Sequence, residues 1–216
     1  IRGGNADNMK FGDTLSDDKF SGYTFDYCIS NPPFGIDWKR EEAAVKVEQK
    51  LGNKGRFGAG LPKISDGQML FMLNGVSKLK QSGKMAIIQN GSPLFSGNAG
   101  SGESEIRRYL IENDWLDAII QLSTDTFYNT GITTYIWIIT KDKPAHREGK
   151  VQLIDASKMA EQRRKPIGNK RYDITDECRD IIVKAYGEFQ NKVYTLGDKV
   201  CESKIVDNVD NVCHMP

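Results

Sequence analysis

The sequence predicts an α/β fold: a mostly parallel sheet carrying one antiparallel hairpin strand, followed by a partly helical extension. Three observations predict it. Short apolar runs alternate with segments of helical periodicity, an order that requires parallel strands joined by crossover helices. The runs "DAIIQL" and "TYIWIIT" are separated only by the short polar stretch "STDTFYNTGIT", which marks a hairpin. Beyond residue 141 the chemistry turns basic and then shows a single helical stripe.

The first strand lies in "TFDYCISNPPFGIDW", residues 24 to 38. Phe25, Tyr27, Cys28 and Ile29 read as a buried strand, and Pro32 and Pro33, which lack N–H donors, stop it at Asn31. Proline also restricts the residue before it, so the corner is stiff. A rigid polar corner at the carboxyl end of a strand is where open α/β sheets place their sites. "WKREEAAVKVEQKL" is helix-prone, whereas "GNKGRFGAGLPKISDG" is interrupted by five glycines and reads as a mobile loop. Met69, Met72, Leu73, Val76 and Leu79 recur at helical spacing, with "SGK" ending the helix before the strand "MAIIQ". Ser101 or Ser104 can cap the next helix, where Glu103 and Glu105 suit the first turn and Ile106, Tyr109 and Leu110 share a face. "KVQLID" is a further strand candidate. Between Lys158 and Arg171 there are six Lys or Arg and one acid, and Ile174, Cys178, Ile181, Ile182, Ala185 and Phe189 form one helical stripe.

Composition narrows the classes. In 216 residues, 30 Lys plus Arg balance 29 Asp plus Glu to give +1, so any nucleic-acid surface has to come from local clustering. Cys28, Cys178, Cys201 and Cys213 show no CxxC pairing, and with only His146 and His214 beside them no metal site is expected. No apolar run approaches the ~20 residues of a membrane span, and no basic-then-apolar leader is present, so the chain reads as soluble and cytoplasmic with reduced thiols. It begins at Ile1 without a methionine and reads as an excerpt of a longer protein.

The corner suits one kind of chemistry. An exocyclic amine on a conjugated ring is a poor nucleophile because its lone pair drains into the ring. The Asn31 side-chain oxygen and the Pro32 carbonyl can each accept one N–H and hold the nitrogen toward tetrahedral geometry, by positioning and electrostatics without a strong base. Phe34 offers a face on which a flat base can stack. The bland reading, a strand-ending turn of ordinary turn residues, stands beside this one.

"NPPF" after a strand resembles the signature of S-adenosylmethionine-dependent amino-group methyltransferases, including enzymes that act on ribosomal RNA and on protein glutamine. With "GDTL" at 12 to 15, "SDGQMLFM" at 65 to 72, "GSGESEIRRYLIENDWLDAIIQL" at 100 to 122, "FYNTGITTYIWIITK" at 127 to 141 and "KVQLIDAS…GNKRYDIT" at 150 to 175, nearly the whole chain resembles the adenine-specific modification subunit of type I restriction-modification systems. The resemblance implies the second half of a doubly wound, Rossmann-like methyltransferase sheet, with residues 1 to 145 a partial catalytic domain and 146 to 216 a basic, partly helical extension. It further implies that Asn31, Pro32, Pro33 and Phe34 grip a flipped-out adenine. Asp13 then accepts from the adenine amine of S-adenosylmethionine, and Phe127 faces the target base. Implied partners are double-stranded DNA, a specificity subunit, a second modification subunit and a restriction subunit able to join.

Other readings stay open. Asp13 can serve as a cap, Phe127 as a packing aromatic and the basic stretch as a solvated face, while the whole domain can be a methyltransferase for RNA or glutamine, or a non-catalytic scaffold. The sequence departs from the family pattern at Ser123, where a proline is usual, and in the closing "NVCHMP". Neither "GAGLPK" nor "GNAGSGES" has the placement of a glycine-rich cofactor turn, so the polypeptide alone is expected to lack tight cofactor binding and turnover.

Overall fold

The computed structural model describes residues 6–128 and 130–208, so the terminal "NVCHMP" lies outside the described residues. Nine strands form two sheets: β1 (Phe25–Ser30), β2 (Leu79–Asn90), β3 (Leu116–Leu122), β4 (Thr134–Thr140), β5 (Lys150–Ala156), β6 (Glu161–Ile167), β7 (Lys170–Asp173), β8 (Lys192–Leu196) and β9 (Lys199–Asp207). The helices are α1 (Glu42–Gln49), α2 (Gln68–Ser77), α3 (Ser92–Phe95), α4 (Gly102–Glu112) and α5 (Asp176–Glu188). The main sheet has seven strands in the order β1-β2-β4-β3-β5-β9-β8, and β6 and β7 form a separate two-stranded ribbon. β1 is parallel to β2 and β3 to β5, whereas β4 lies antiparallel between β2 and β3, and β9 antiparallel between β5 and β8. Five strands therefore share one direction, and β4 is the expected hairpin strand.

Two-residue alternation sends apolar side chains to both faces. Met85 and Ile87 of β2 and Trp137 and Ile139 of β4 pack with Met72 and Val76 of α2 and with Leu110 and Ile111 of α4. On the opposite face, Ile120 and Leu122 of β3 and Ile154 and Ala156 of β5 pack with Cys178, Ile182 and Ala185 of α5. Helices thus cover both faces, as doubly wound sheets require. A third cluster gathers Leu15, Trp38, Val45, Phe57, Met69, Leu70, Leu73 and Ile106 beneath the loops. Ser101 and Thr175 cap α4 and α5 by accepting from Ser104 N–H and Cys178 N–H.

The structure differs from expectation in four places. β1 is an edge strand rather than a buried one: Tyr27 and Ile29 are 76% and 89% exposed. The apolar run forms its strand, but no described strand covers its outer side. Second, α2 stops at Ser77 and Gly83 lies inside β2, whose pairing with β1 jumps from Phe25–Leu79 to Tyr27–Lys84. A Cβ on Gly83 would stand 3.0 Å from the Phe25 carbonyl oxygen, so glycine permits the close approach at this irregularity. Third, the glycine-rich loop is pinned: Phe57 is fully buried, and Arg56 donates to Glu48, Asn74 and the carbonyls of Thr14 and Leu15. Fourth, β8 and β9 form a hairpin across Gly197 and Asp198, with Gly197 at φ +61°. Residues 150–207 accordingly contribute three strands to the main sheet besides α5 and the ribbon. Among the described residues no helix is long and apolar enough to cross a membrane, and no group of metal-ligating side chains is assembled.

Candidate functional site

Shared strand direction gathers the loops after β1, β2, β3 and β5 at one edge of the sheet, the carboxyl edge, where α/β folds build sites. The corner after β1 is irregular from Asn31 to Trp38, with Gly35 at φ +61° making the bend. Asn31 and Pro33 are exposed, Phe34 is half-buried and Pro32 is buried. Neither the Asn31 amide nor the Pro32 carbonyl has a hydrogen-bond partner among the described residues. Two adjacent acceptors are thus unengaged, beside an aromatic ring that belongs to none of the apolar clusters.

The corner is anchored rather than free. Trp38 is buried in the third cluster, its N–H accepted by the Ile64 carbonyl at 3.0 Å and its indole Nε1–H by the Lys63 carbonyl at 2.8 Å. Gly67 N–H donates to the Ile36 carbonyl at 3.0 Å, and Glu103 of α4 accepts from Lys63 N–H at 2.8 Å. The segment 63–67 leads straight into Gln68, which is 1% exposed and the first residue of α2. Gln68 Nε2 donates to Asn90 Oδ1 and to Asp66 Oδ1, both at 2.9 Å, while its Oε1 accepts from Asn90 N–H at 2.9 Å. This amide joins the end of β2 to the start of α2, next to the Gly67 N–H that holds the corner. Sequence reasoning missed Gln68 and Asn90 as site elements; the available signal was a polar residue opening an otherwise apolar helix.

Asp13 sits in a turn upstream of β1, where its Oδ1 accepts from Leu15 N–H at 2.8 Å and Ser16 N–H at 3.4 Å. Partial burial raises its pKa, but these backbone donors and a neighbouring Glu41 contact outweigh that and leave it below the ordinary carboxylate value. Asp13 is therefore an anion at neutral pH. The next residue, Thr14, lines a cleft of about 430 Å³ that reaches Pro32, with Phe25, Cys28, Ser30, Phe71 and Asn74 on its walls. Asp13 itself lines a second, smaller cleft of about 150 Å³, with Lys10, Gly12, Asp17, Lys19 and Phe20. None of the described strand-to-helix junctions carries a G-x-G-x-x-G sequence.

Phe127 lies in the β3–β4 connection, paired in an isolated bridge with Thr130 and packed against the cluster of β3, β5 and α5. Ser123, in place of the usual proline, donates to the Ser157 carbonyl, and Thr126 Oγ1 donates to the Ser123 carbonyl at 2.7 Å. The ribbon also holds this connection: Asn169 N–H donates to the Tyr128 carbonyl at 2.9 Å and Arg171 N–H to the Asp125 carbonyl at 2.8 Å.

A doubly wound sheet with a reversed hairpin strand beside its centre, and an N-P-P-F corner at the carboxyl edge, defines a protein of the α/β methyltransferase class. The chain belongs to the N-6 DNA methylase family, whose model matches residues 1–213. It is 30% identical over 205 residues to the type I restriction enzyme MjaIX methylase subunit of Methanocaldococcus jannaschii, covering 91% of this chain and 35% of that one. The crystal structure of a type I restriction-modification system methyltransferase subunit from Streptococcus thermophilus is similar with a TM-score of 0.74 and 27% identity, over 94% of this chain and 40% of that one. The type I restriction enzyme EcoKI M protein shares the fold, with a TM-score of 0.61 at 19% identity, over 91% of this chain and 42% of that one. The chain thus spans about a third of the length of the curated relatives it matches.

Proposed function

We propose that the chain forms part of an adenine-N6 DNA methyltransferase subunit of a type I restriction-modification system, with Asn31, Pro32, Pro33 and Phe34 gripping an adenine flipped out of the duplex. The observation that carries this reading is the pair of unengaged acceptors, Asn31 Oδ1 and the Pro32 carbonyl, at the carboxyl end of β1. Each accepts one N–H of the adenine amine and keeps the lone pair on nitrogen, directed at an electrophile. Phe34 stacks on the extracted ring, and Phe127 faces it from the connection after β3. S-adenosylmethionine, when bound, supplies the electrophilic methyl group; Asp13 accepts from the amine of its adenine. After transfer the amine nitrogen sheds one proton to solvent, since the corner contains no strong base.

The resemblance supports residues 1–145 as a partial catalytic unit and 146–216 as an extension, acting in the cytoplasm on double-stranded DNA with a specificity subunit, a second modification subunit and a restriction subunit able to join. The glycine-rich cofactor turn is assigned to sequence outside these residues, so this 216-residue chain by itself is inactive. The test is transfer of radioactive methyl by the full-length protein to unmethylated duplex DNA, RNA and peptide. Transfer to adenine in duplex DNA, lost in Asn31→Ala with assembly intact, is expected; methylation of RNA or glutamine instead, or an unchanged rate in Asn31→Ala, refutes the assignment.

A further inference from the structure

We infer that the ribbon of β6 and β7 is a phosphate-contacting arm for duplex DNA, set at the same edge of the sheet as the catalytic corner and coupled to the connection that carries Phe127. This inference rests on the duplex-DNA reading of the site. The ribbon follows β5, which runs parallel to β3, and β1 and β2 share that direction, so its base lies at the carboxyl edge. From β1 the order passes β2, β4 and β3 to β5, four spacings of about 4.8 Å, or ~19 Å across the sheet. A duplex laid along that edge presents about eleven phosphate charges over such a length. A base drawn into the corner would leave the flanking backbone over the ribbon.

The charges on the ribbon suit this partner. Arg163 and Lys170 are both engaged by Asp173, and Glu161 is paired with Lys199 at 3.5 Å. The remaining cations, Arg164, Lys165 and Arg171, are exposed and their charged groups have no partner among the described residues. Both ribbon acids are therefore already neutralised by neighbours, and the three free cations face solvent. Their scaffold is fixed. The two-residue turn at Gly168 and Asn169 closes β6 onto β7, with Gly168 at φ +58°. A Cβ there would stand 2.7 Å from the Tyr128 carbonyl oxygen, so the turn presses against the residue next to Phe127. Lys170 lies 5.1 Å from the Tyr128 ring centroid, adding a cation–π contact. Phosphate engagement by the ribbon thus bears directly on the backbone that positions Phe127, through Asn169 N–H and Arg171 N–H.

The experiment compares the full-length protein, with the partners it needs for methylation, with the variant Arg164→Gln/Lys165→Gln/Arg171→Gln and its charge-preserving counterpart Arg164→Lys/Arg171→Lys. Duplex binding is measured by fluorescence anisotropy from 50 to 200 mM salt, and S-adenosylmethionine binding by calorimetry. In the glutamine variant the slope of log K against log salt should shrink by about two to three, about one per lost phosphate contact, with cofactor affinity unchanged. The lysine variant should keep the wild-type slope. An unchanged slope in the glutamine variant, or an equal loss of slope in both variants, overturns the inference while leaving the methyltransferase reading intact. A wild-type protein that methylates RNA or peptide but not duplex DNA overturns both.

Discussion

Gln68 and Asn90 form a reciprocal pair: the Gln68 amide donates to Asn90 Oδ1 and accepts from Asn90 N–H, each at 2.9 Å. The pair ties the start of α2 to the last residue of β2, and the chain immediately before Gln68 holds the corner through Gly67 and Ile36. The end of β2 is thus tied to the start of α2 by the buried Gln68 amide, and the corner after β1 to the same segment by the Gly67 N–H.

Gln68→Leu leaves the Asn90 N–H and the Asp66 carboxylate without this partner. Both residues are half-buried and Asp66 still accepts from the backbone N–H of residue 68, so the cost lies at the low end of the about 1–3 kcal/mol of a stranded buried polar group. In the full-length protein the expected result is a lower midpoint in urea unfolding together with a fall in kcat larger than the change in KM, because substrate contacts remain while corner geometry loosens. Wild-type kcat in a destabilised Gln68→Leu protein would show the pair to be structural only.

A second prediction concerns the junction between the sheet and α5. Arg147 is buried against Asp117, with its Nη1 3.1 Å from Asp117 Oδ2, and Tyr186 O–H donates to the same oxygen at 2.5 Å. The guanidinium also lies 4.4 Å from the Tyr186 ring and 4.2 Å from the Phe189 ring. Arg147→Met strands a carboxylate that is 2% exposed, at a cost of about 3–5 kcal/mol. Arg147→Met/Asp117→Leu removes both charges and should recover a large part of that loss in denaturant titration.

Acid should weaken the turn before β1 through Asp18. Desolvation raises the Asp18 pKa, but the Lys78 ammonium at 2.6 Å and the Phe20 N–H outweigh it and hold the carboxyl below its ordinary value of 3.8. A depressed folded pKa gives stability that is fully present above the unfolded value and is lost as pH falls from about 3.8 through the depressed folded value. Asp18→Asn should therefore lower stability at neutral pH and flatten its decline below pH 4, read by thermal melts across that range.

The edge position of β1 gives a prediction about association. Tyr27 and Ile29 stand two residues apart on one face of an edge strand and are largely exposed. An apolar, unpaired edge is a template for pairing with another chain. This 216-residue chain, produced alone, should self-associate with rising concentration in light scattering, and Ile29→Lys should suppress that association. Equal association of both would place the contact elsewhere.

The alternation of apolar runs and helical stripes made β1 to β5, α2, α4 and α5 legible, because period 2 and period 3.6 are local properties of the chain. The β8–β9 hairpin was missed although Gly197 and Asp198 form a recognised two-residue turn signal; its strands mix polar and apolar residues and present little pattern. The basic ribbon was equally hidden, since Glu161 to Asp173 has no alternating face to bury. The burial of β1 was misread because four apolar residues in a six-residue strand report strand propensity but not its neighbours.

By itself the sequence determined the class of the sheet, the stop after Ser30 and the residue types of the corner, because proline geometry and side-chain periodicity act over a few neighbouring residues. Only the tertiary structure decided that Gln68 and Asn90 brace the corner, that Arg56 pins the glycine-rich loop and that the ribbon abuts the connection bearing Phe127. Those contacts join residues from 18 positions apart, Arg56 and Asn74, to 46 apart, Asp125 and Arg171, and their partners are selected by the packing of both sheet faces.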